Sequence, residues 1–265
     1  MTMNRMSKAT QQRLLALNRE FYTTVAEPFD ATRAGLPVGW QRLHTWLSTL
    51  TDQPLRVLDV GCGNGRWAWM LEEWGIPCSY TGVDGDEKLL RLAAENTRHL
   101  TGVQSTFHQS DFTTPDWFAP LALQPASFEL IACLAALHHA PGYDLRSQVV
   151  QSLANLLAPT GVLIFSHWQF LRSERFVRKQ IPWQTIGLTS AEVEPGDALL
   201  PWQQGGYAVR YVHQIDEAEM AALAQTAGLQ VLTNFYADGK EGNLNLYVVL
   251  KNVQHVVVKK RENRE

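Results

Sequence analysis

The chain has 265 residues, 45% of them hydrophobic and 18% charged, with a formal net charge of −3. That length builds one large domain, or one domain with an insertion, and buries a core that needs no disulfide or metal staple. The composition excludes a disulfide scaffold, a collagen and a disordered chain, and the weak acidity argues against a surface dominated by nucleic-acid binding while leaving room for a local basic patch.

Leu14, Leu17, Phe21 and Val25 recur at helical spacing and predict a helix over 7–27 that Pro28 stops. A second helix is expected over 38–50. Pro54 leads into LRVLDV at 55–60, whose apolar character reads as a buried strand. A glycine-rich turn at 61–65 opens a helix over 65–74, which Gly75 and Pro77 end. The alternation continues through strand 78–83, helix 86–98, and strands 103–109 and 127–134, then helix 144–157 and strand 162–167. Residues 168–215 break the rhythm. They begin with a basic helix candidate and run on through about 35 irregular residues rich in Pro, Gly and Trp, long enough to serve as a lid after the fifth strand. Helix 216–227 and strands 229–236 and 243–251 close the chain, the last two forming an antiparallel hairpin. Strands alternating with helices of this length imply βαβ units. The expected fold is α/β: a Rossmann-like, seven-stranded, mostly parallel sheet with helices on both faces.

Cys62, Cys78 and Cys133 are too few and too scattered for a disulfide framework or a zinc site, and they fit free thiols in a reducing cytoplasm. The polar opening MTMNRMSKAT carries no signal-peptide pattern. The longest apolar run, Leu130 to Leu137, is far short of the ~20 residues that span a bilayer, so no membrane association is expected.

The strongest motif is Val57-Leu-Asp59-Val-Gly61-Cys-Gly63-Asn64-Gly65, which joins the first strand to its helix. Without Cβ atoms such a backbone turns sharply and presses close to a ligand. The dinucleotide fingerprint sets its third glycine one residue later. The pattern instead resembles motif I of the class I S-adenosylmethionine-dependent methyltransferases, whose loop meets the methionine part of the cofactor. On that resemblance Asp59, Gly61, Gly63, Asn64 and Gly65 bind S-adenosyl-L-methionine. Asp84 and Gly85, 19 residues past Gly65 at the end of the second strand, are expected at the ribose. Asp111 and Phe112, after the third strand, are expected at the adenine, and Leu134 at the end of the fourth. Each acid also reads as an ordinary loop or cap residue. All three, however, end successive strands and face the crevice where open α/β sheets bind ligands. His138 and His139 follow the fourth strand, where a metal is not expected and either ring serves as a base or orients a loop.

Three further segments resemble the tRNA wobble-uridine carboxymethyl methyltransferases: Phe21 to Arg33, Gly196 to Trp202, and Arg210-Tyr211-Val212-His213 before an acidic-start helix. The resemblance implies O-methylation of the carboxylate of 5-carboxymethyluridine in tRNA, with a small zinc-binding activator protein as a partner. The alternative acceptor is a small-molecule carboxylate, phenol or amine. A carboxylate with a pKa near ~4 is already ionised at pH 7 and needs alignment rather than a base. Arg33 and Arg210 can grip it with paired hydrogen bonds, and read equally well as ion-pair residues. A phenol or amine needs a base, for which His213 or His139 is available. Tyr211, His213 and Trp202 stack on a base or pack the lid. Arg172, Arg175, Arg178 and Lys179 fall on one side of the basic helix, as a phosphate-contacting face or a solvated one. The expected organisation is an N-terminal helical cap (1–54), a cofactor-binding core (55–167), a lid (168–215), a completion of the sheet (216–252) and a frayed tail (253–265).

Overall fold

The computed structural model describes residues 6–31, 35–47, 50 and 54–253. Arg33 and tail residues 254–265 lie outside the described residues. In chain order the strands are β1 (Leu55–Val60), β2 (Cys78–Asp84), β3 (Val103–Gln109), β4 (Phe128–Leu134), β5 (Leu157–Trp168), β6 (Asp197–Trp202), β7 (Ala208–His213), β8 (Leu229–Ala237) and β9 (Asn245–Asn252). The helices are α1 (Lys8–Ala31), α2 (Val38–Leu47), α3 (Arg66–Glu73), α4 (Glu87–Thr97), α5 (Tyr143–Leu156), α6 (Glu174–Val177) and α7 (Glu217–Thr226).

Seven strands form one sheet in the order β3-β2-β1-β4-β5-β9-β8. Strands β1 to β5 run parallel, and β9 lies antiparallel between β5 and β8. The seven-stranded, mostly parallel sheet expected from the alternation is therefore the observed one. Helices cover both faces, which is why the central strands are apolar throughout rather than alternating. Leu58, Val60, Ile131 and Phe165 pack under α5 and α7. Leu55, Val57, Leu130 and Ile164 pack under α2 and α3, where Trp40 and Trp67 meet edge to face at 5.2 Å. The chain winds outward from β1 to β3, then crosses to β4 on the other side of β1. That reversal leaves a crevice beyond the carboxyl ends of β1 and β4.

Three expectations from the sequence need correction. Helix α1 does not stop at Pro28 but runs to Ala31. The proline removes one N–H from the helix, yet its ring packs against the lid: a Cβ added to Gly205 would lie 2.8 Å from the Cβ of Pro28. The lid is not mainly irregular, because β6 and β7 pair as an antiparallel hairpin from Asp197↔His213 to Trp202↔Ala208. The basic segment does not form one helix either. A 3-10 turn at Phe170–Arg172 precedes the four-residue α6, so its four cations do not share a face. Helix α2 belongs to the helical layer on the sheet, while Asn18 of α1 accepts a bond from the Tyr211 N–H of β7 at 2.8 Å.

Candidate active site

The crevice opens into a cavity of about 900 Å³ roofed by α1 and the lid. Asp59, Gly61, Gly63, Asn64, Asp84, Gly85, Asp111, Phe112 and Leu134 line it, as does Arg210. Gly65 does not. Its positive φ of 79° places it at the start of α3, where an added Cβ would sit 3.1 Å from that of Ala93, so it serves the packing of α3 on α4.

The loop after β1 is shaped by its glycines. Gly61 has φ +74°, and a Cβ there would come within 2.5 Å of the Ala136 Cβ, so only glycine lets the loop pass beneath the β4 turn. Gly63 and Gly85 face open space, with no atom within 4 Å of an added Cβ. That is the shape of a cradle into which a ligand backs. Asp84 holds the loop from below, since its Oδ2 accepts the Gly63 N–H and its Oδ1 the Asp86 N–H, both at 2.9 Å. Burial raises the Asp84 pKa, against the pull of those amides. Asp111 accepts from the Thr113 N–H at 2.9 Å and pairs with Arg19 of α1 at 3.2 Å. The exposed Arg19 side chain makes that pair worth at most ~1 kcal/mol.

Charge is unevenly spread over the cavity. The acids Asp59, Asp84, Asp86 and Asp111 sit at the tips of β1 to β3 with Arg19 and Arg66 beside them, whereas the lid lining carries Arg175, Lys179 and Arg210 and, among the described residues, no acid. Arg210 lies beside two rings, its guanidinium carbon 5.2 Å from the Phe21 centroid and 4.7 Å from that of Trp168. Trp202 also lines the cavity, edge-on to Phe21 at 6.3 Å. Of the remaining basic segment, Arg172 stacks over Tyr236 at 4.0 Å and Arg178 pairs with Glu174.

A second pair escaped the sequence reading. Tyr22 of α1 and His139 both line the cavity, with the phenol oxygen 2.7 Å from Nε2. The Nδ1 of His139 lies 3.0 Å from the Tyr211 carbonyl, so Nδ1 carries the proton and Nε2 accepts from Tyr22. The signal available was Tyr22's place beside Phe21 on the buried face of an amphipathic helix.

His213 is a correction. It does not line the cavity but lies 2% exposed in a charge cluster at the root of the lid. Its Nδ1 meets Asp197 at 2.6 Å and its Nε2 meets Glu219 of α7 at 2.8 Å. Burial opposes a charged ring, but those two carboxylates overrule it and raise the pKa. Arg146 of α5 joins the cluster through Glu219 at 2.6 Å and Glu194 at 2.8 Å. Tyr211 is also buried away from the cavity, its hydroxyl donating to Asp197 at 2.7 Å. Glu194, Asp197 and His213 lie close enough together to hold a metal ion, yet their ligand atoms already serve one another, Arg146, Tyr211 and the Tyr143 N–H. No helix among the described residues is long and apolar enough to cross a membrane.

Residues 57–161 match a family described as "Methyltransferase domain". The ubiquinone biosynthesis O-methyltransferase of Bordetella avium is 30% identical over 188 residues, which span 70% of this chain and 67% of the relative. The magnesium protoporphyrin IX methyltransferase of Synechocystis, solved with bound S-adenosylhomocysteine, superposes with a TM-score of 0.63 at 19% identity, covering 90% of this chain and 99% of that one. A 1,6-didemethyltoxoflavin-N1-methyltransferase from Burkholderia thailandensis gives 0.63 at 17% identity, covering 94% and 93%. The Bordetella relative is thus named for ubiquinone biosynthesis rather than for tRNA modification.

Proposed function

Because the chain belongs to the class I S-adenosylmethionine-dependent methyltransferases, we propose that it methylates an oxygen of an anionic acceptor held beneath the lid, a carboxylate foremost. The lid side of the cavity, lined by three cations and no acid, carries this reading. S-adenosylmethionine supplies an electrophilic methyl group on a cationic sulfonium, and the acidic end suits its amino-acid and ribose parts. The cradle above Gly63 and Gly85 has room for it, with Asp84 at the ribose and Asp111 and Phe112 at the adenine. Arg210, Arg175 and Lys179 draw the anionic acceptor to the opposite end. An ionised carboxylate needs no base, so Arg210 has only to aim it, and the Phe21 and Trp168 rings beside it limit where its side chain can move.

The segments that resemble the tRNA wobble-uridine enzymes supply Arg210 and Trp202 to this end of the cavity, which favours carboxymethyluridine in tRNA as the acceptor. The test is methyl transfer from labelled cofactor to tRNA bearing that nucleoside, with and without a small zinc-binding activator protein. Arg210→Lys keeps the charge and loses the planar fork. Single-turnover transfer should slow by about two orders of magnitude, the cost of a misplacement of ~1 Å, with cofactor affinity nearly unchanged. Full activity in that variant would end the carboxylate-clamp reading.

A second reading rests on Tyr22 and His139, together with the O-methylation named for the Bordetella relative. That pair can take a proton from a phenolic hydroxyl through Tyr22 to the His139 Nε2. Turnover on a phenol should then fall at low pH as the imidazole is protonated, and Tyr22→Phe should lower it. Transfer to a carboxylate should stay flat over the same range.

A further inference from the structure

Asp59 stands on the central strand, 2% exposed, at the floor of the cavity. Its Oδ2 accepts the hydroxyl of Tyr80 at 2.5 Å. Its Oδ1 takes no hydrogen bond among the described residues. Tyr80 is opposite Val57 in the β1–β2 register, on the strand face that Asp59 shares, so its ring reaches along the sheet towards the carboxylate. The ring is itself buried and packs on Phe107 of β3 at 5.9 Å. A hydroxyl fixed in this way has one task in view.

We infer that Tyr80 is a positioning residue for the cofactor: its hydroxyl orients the Asp59 carboxyl group and favours its ionised form, leaving the second oxygen for the cationic ammonium of the cofactor's amino-acid end. This rests on reading the acidic end of the cavity as the cofactor's. Burial pushes the Asp59 pKa up to about 7, the Tyr80 hydroxyl pulls the other way, the Asp84 carboxylate adds to the rise and the Arg66 guanidinium of α3 opposes it. The thiols of Cys62 and Cys133 also lie near it, each held neutral by burial. An ammonium brought to Oδ1 favours the ionised form. Binding therefore converts whatever fraction is carboxylic acid to carboxylate, releasing about half a proton to solvent near neutral pH and approaching one below it.

The sign follows from linkage. Affinity is full above the free-state value and declines as pH falls through it. Without the Tyr80 hydroxyl that value rises, so the decline begins at higher pH. We expect this in titration calorimetry of S-adenosylhomocysteine, which carries the same amino-acid end, into wild type, Tyr80→Phe and Asp59→Asn. The titrations run from pH 5.5 to 8.5 in buffers of differing ionisation enthalpy. Wild type should release about half a proton near neutral pH. Tyr80→Phe should shift the midpoint up by about one unit, binding about fivefold more weakly at pH 7 and within about twofold of wild type at pH 8.5. Asp59→Asn should release none. A merely structural tyrosine would weaken binding by the same factor at every pH, and that result, or an unshifted midpoint with release intact, overturns the role of Tyr80 alone. Absence of proton release in wild type overturns it together with the placement of the cofactor against Asp59.

Discussion

Asp84→Ala should weaken binding of S-adenosylmethionine by about two to four orders of magnitude. On the reading that Asp84 meets the ribose, two hydrogen bonds to a charged acceptor disappear, each worth about 1.5–3 kcal/mol. The same side chain also holds the Gly63 and Asp86 amides, so alanine releases the glycine loop as well. Asp84→Asn separates the two effects. It keeps one acceptor oxygen and the shape while losing the charge, and should fall between alanine and wild type. Calorimetry gives the affinities, and urea melts on the same samples report whether the fold survives. Unchanged affinity in Asp84→Ala would remove the cofactor from the end of β2.

Arg146→Ala should cost about 3–5 kcal/mol of stability in urea unfolding, the usual result of stripping one partner from a buried ion pair. Arg146 is 1% exposed and neutralises Glu194 and Glu219 while donating to the Ala140 carbonyl at 3.2 Å. Its removal leaves Glu194, Asp197 and Glu219 facing His213 alone. Arg146→Met restores volume but not charge and should recover little, which separates the electrostatic loss from a cavity. The cluster also has a pH window. The raised His213 contributes stability that is complete below its unfolded value and fades as pH rises through the folded one. Burial works against ionised Glu219, but His213 and Arg146 together lower its pKa, so its contribution holds above the unfolded carboxylate value and is lost as pH falls through the folded one. Stability from this cluster should therefore peak between the carboxylate range and the imidazole value.

The sheet was legible because β1, β4 and β5 are mostly apolar and the connections are punctuated by glycine and proline, and the loop after β1 because glycines at alternate positions let a backbone turn sharply and press close to a ligand. The hairpin of the lid was not. Leu199 and Tyr211 pack beneath α1, while Ala198, Leu200 and Val212 pack on Phe170. With both faces covered, β6 shows no alternation of polar and apolar residues, and Pro201 within it argues against a strand. His213 is available as a base on the sequence alone because it closes the Arg210-Tyr211-Val212-His213 segment and a phenol or amine acceptor needs one. Its two carboxylate partners lie at Asp197, across the hairpin, and at Glu219, on the following helix. Tyr22 and His139, 117 positions apart, share no local pattern at all.

The docking of α1 on β7 bears on how the chain comes into being. The bond from Asn18 to Tyr211 spans 193 positions. At about 5–20 residues per second the ribosome takes roughly 10–40 s to supply the second partner after the first. Throughout that interval the apolar stripe of Leu14, Phe21 and Val25, fully buried in the finished protein, has no hairpin to cover it. The glycine cradle and the carboxylates of β1 to β3 are complete long before their roof. The segments that build the floor of the cavity are therefore synthesised while the apolar stripe of the first helix still lacks its cover.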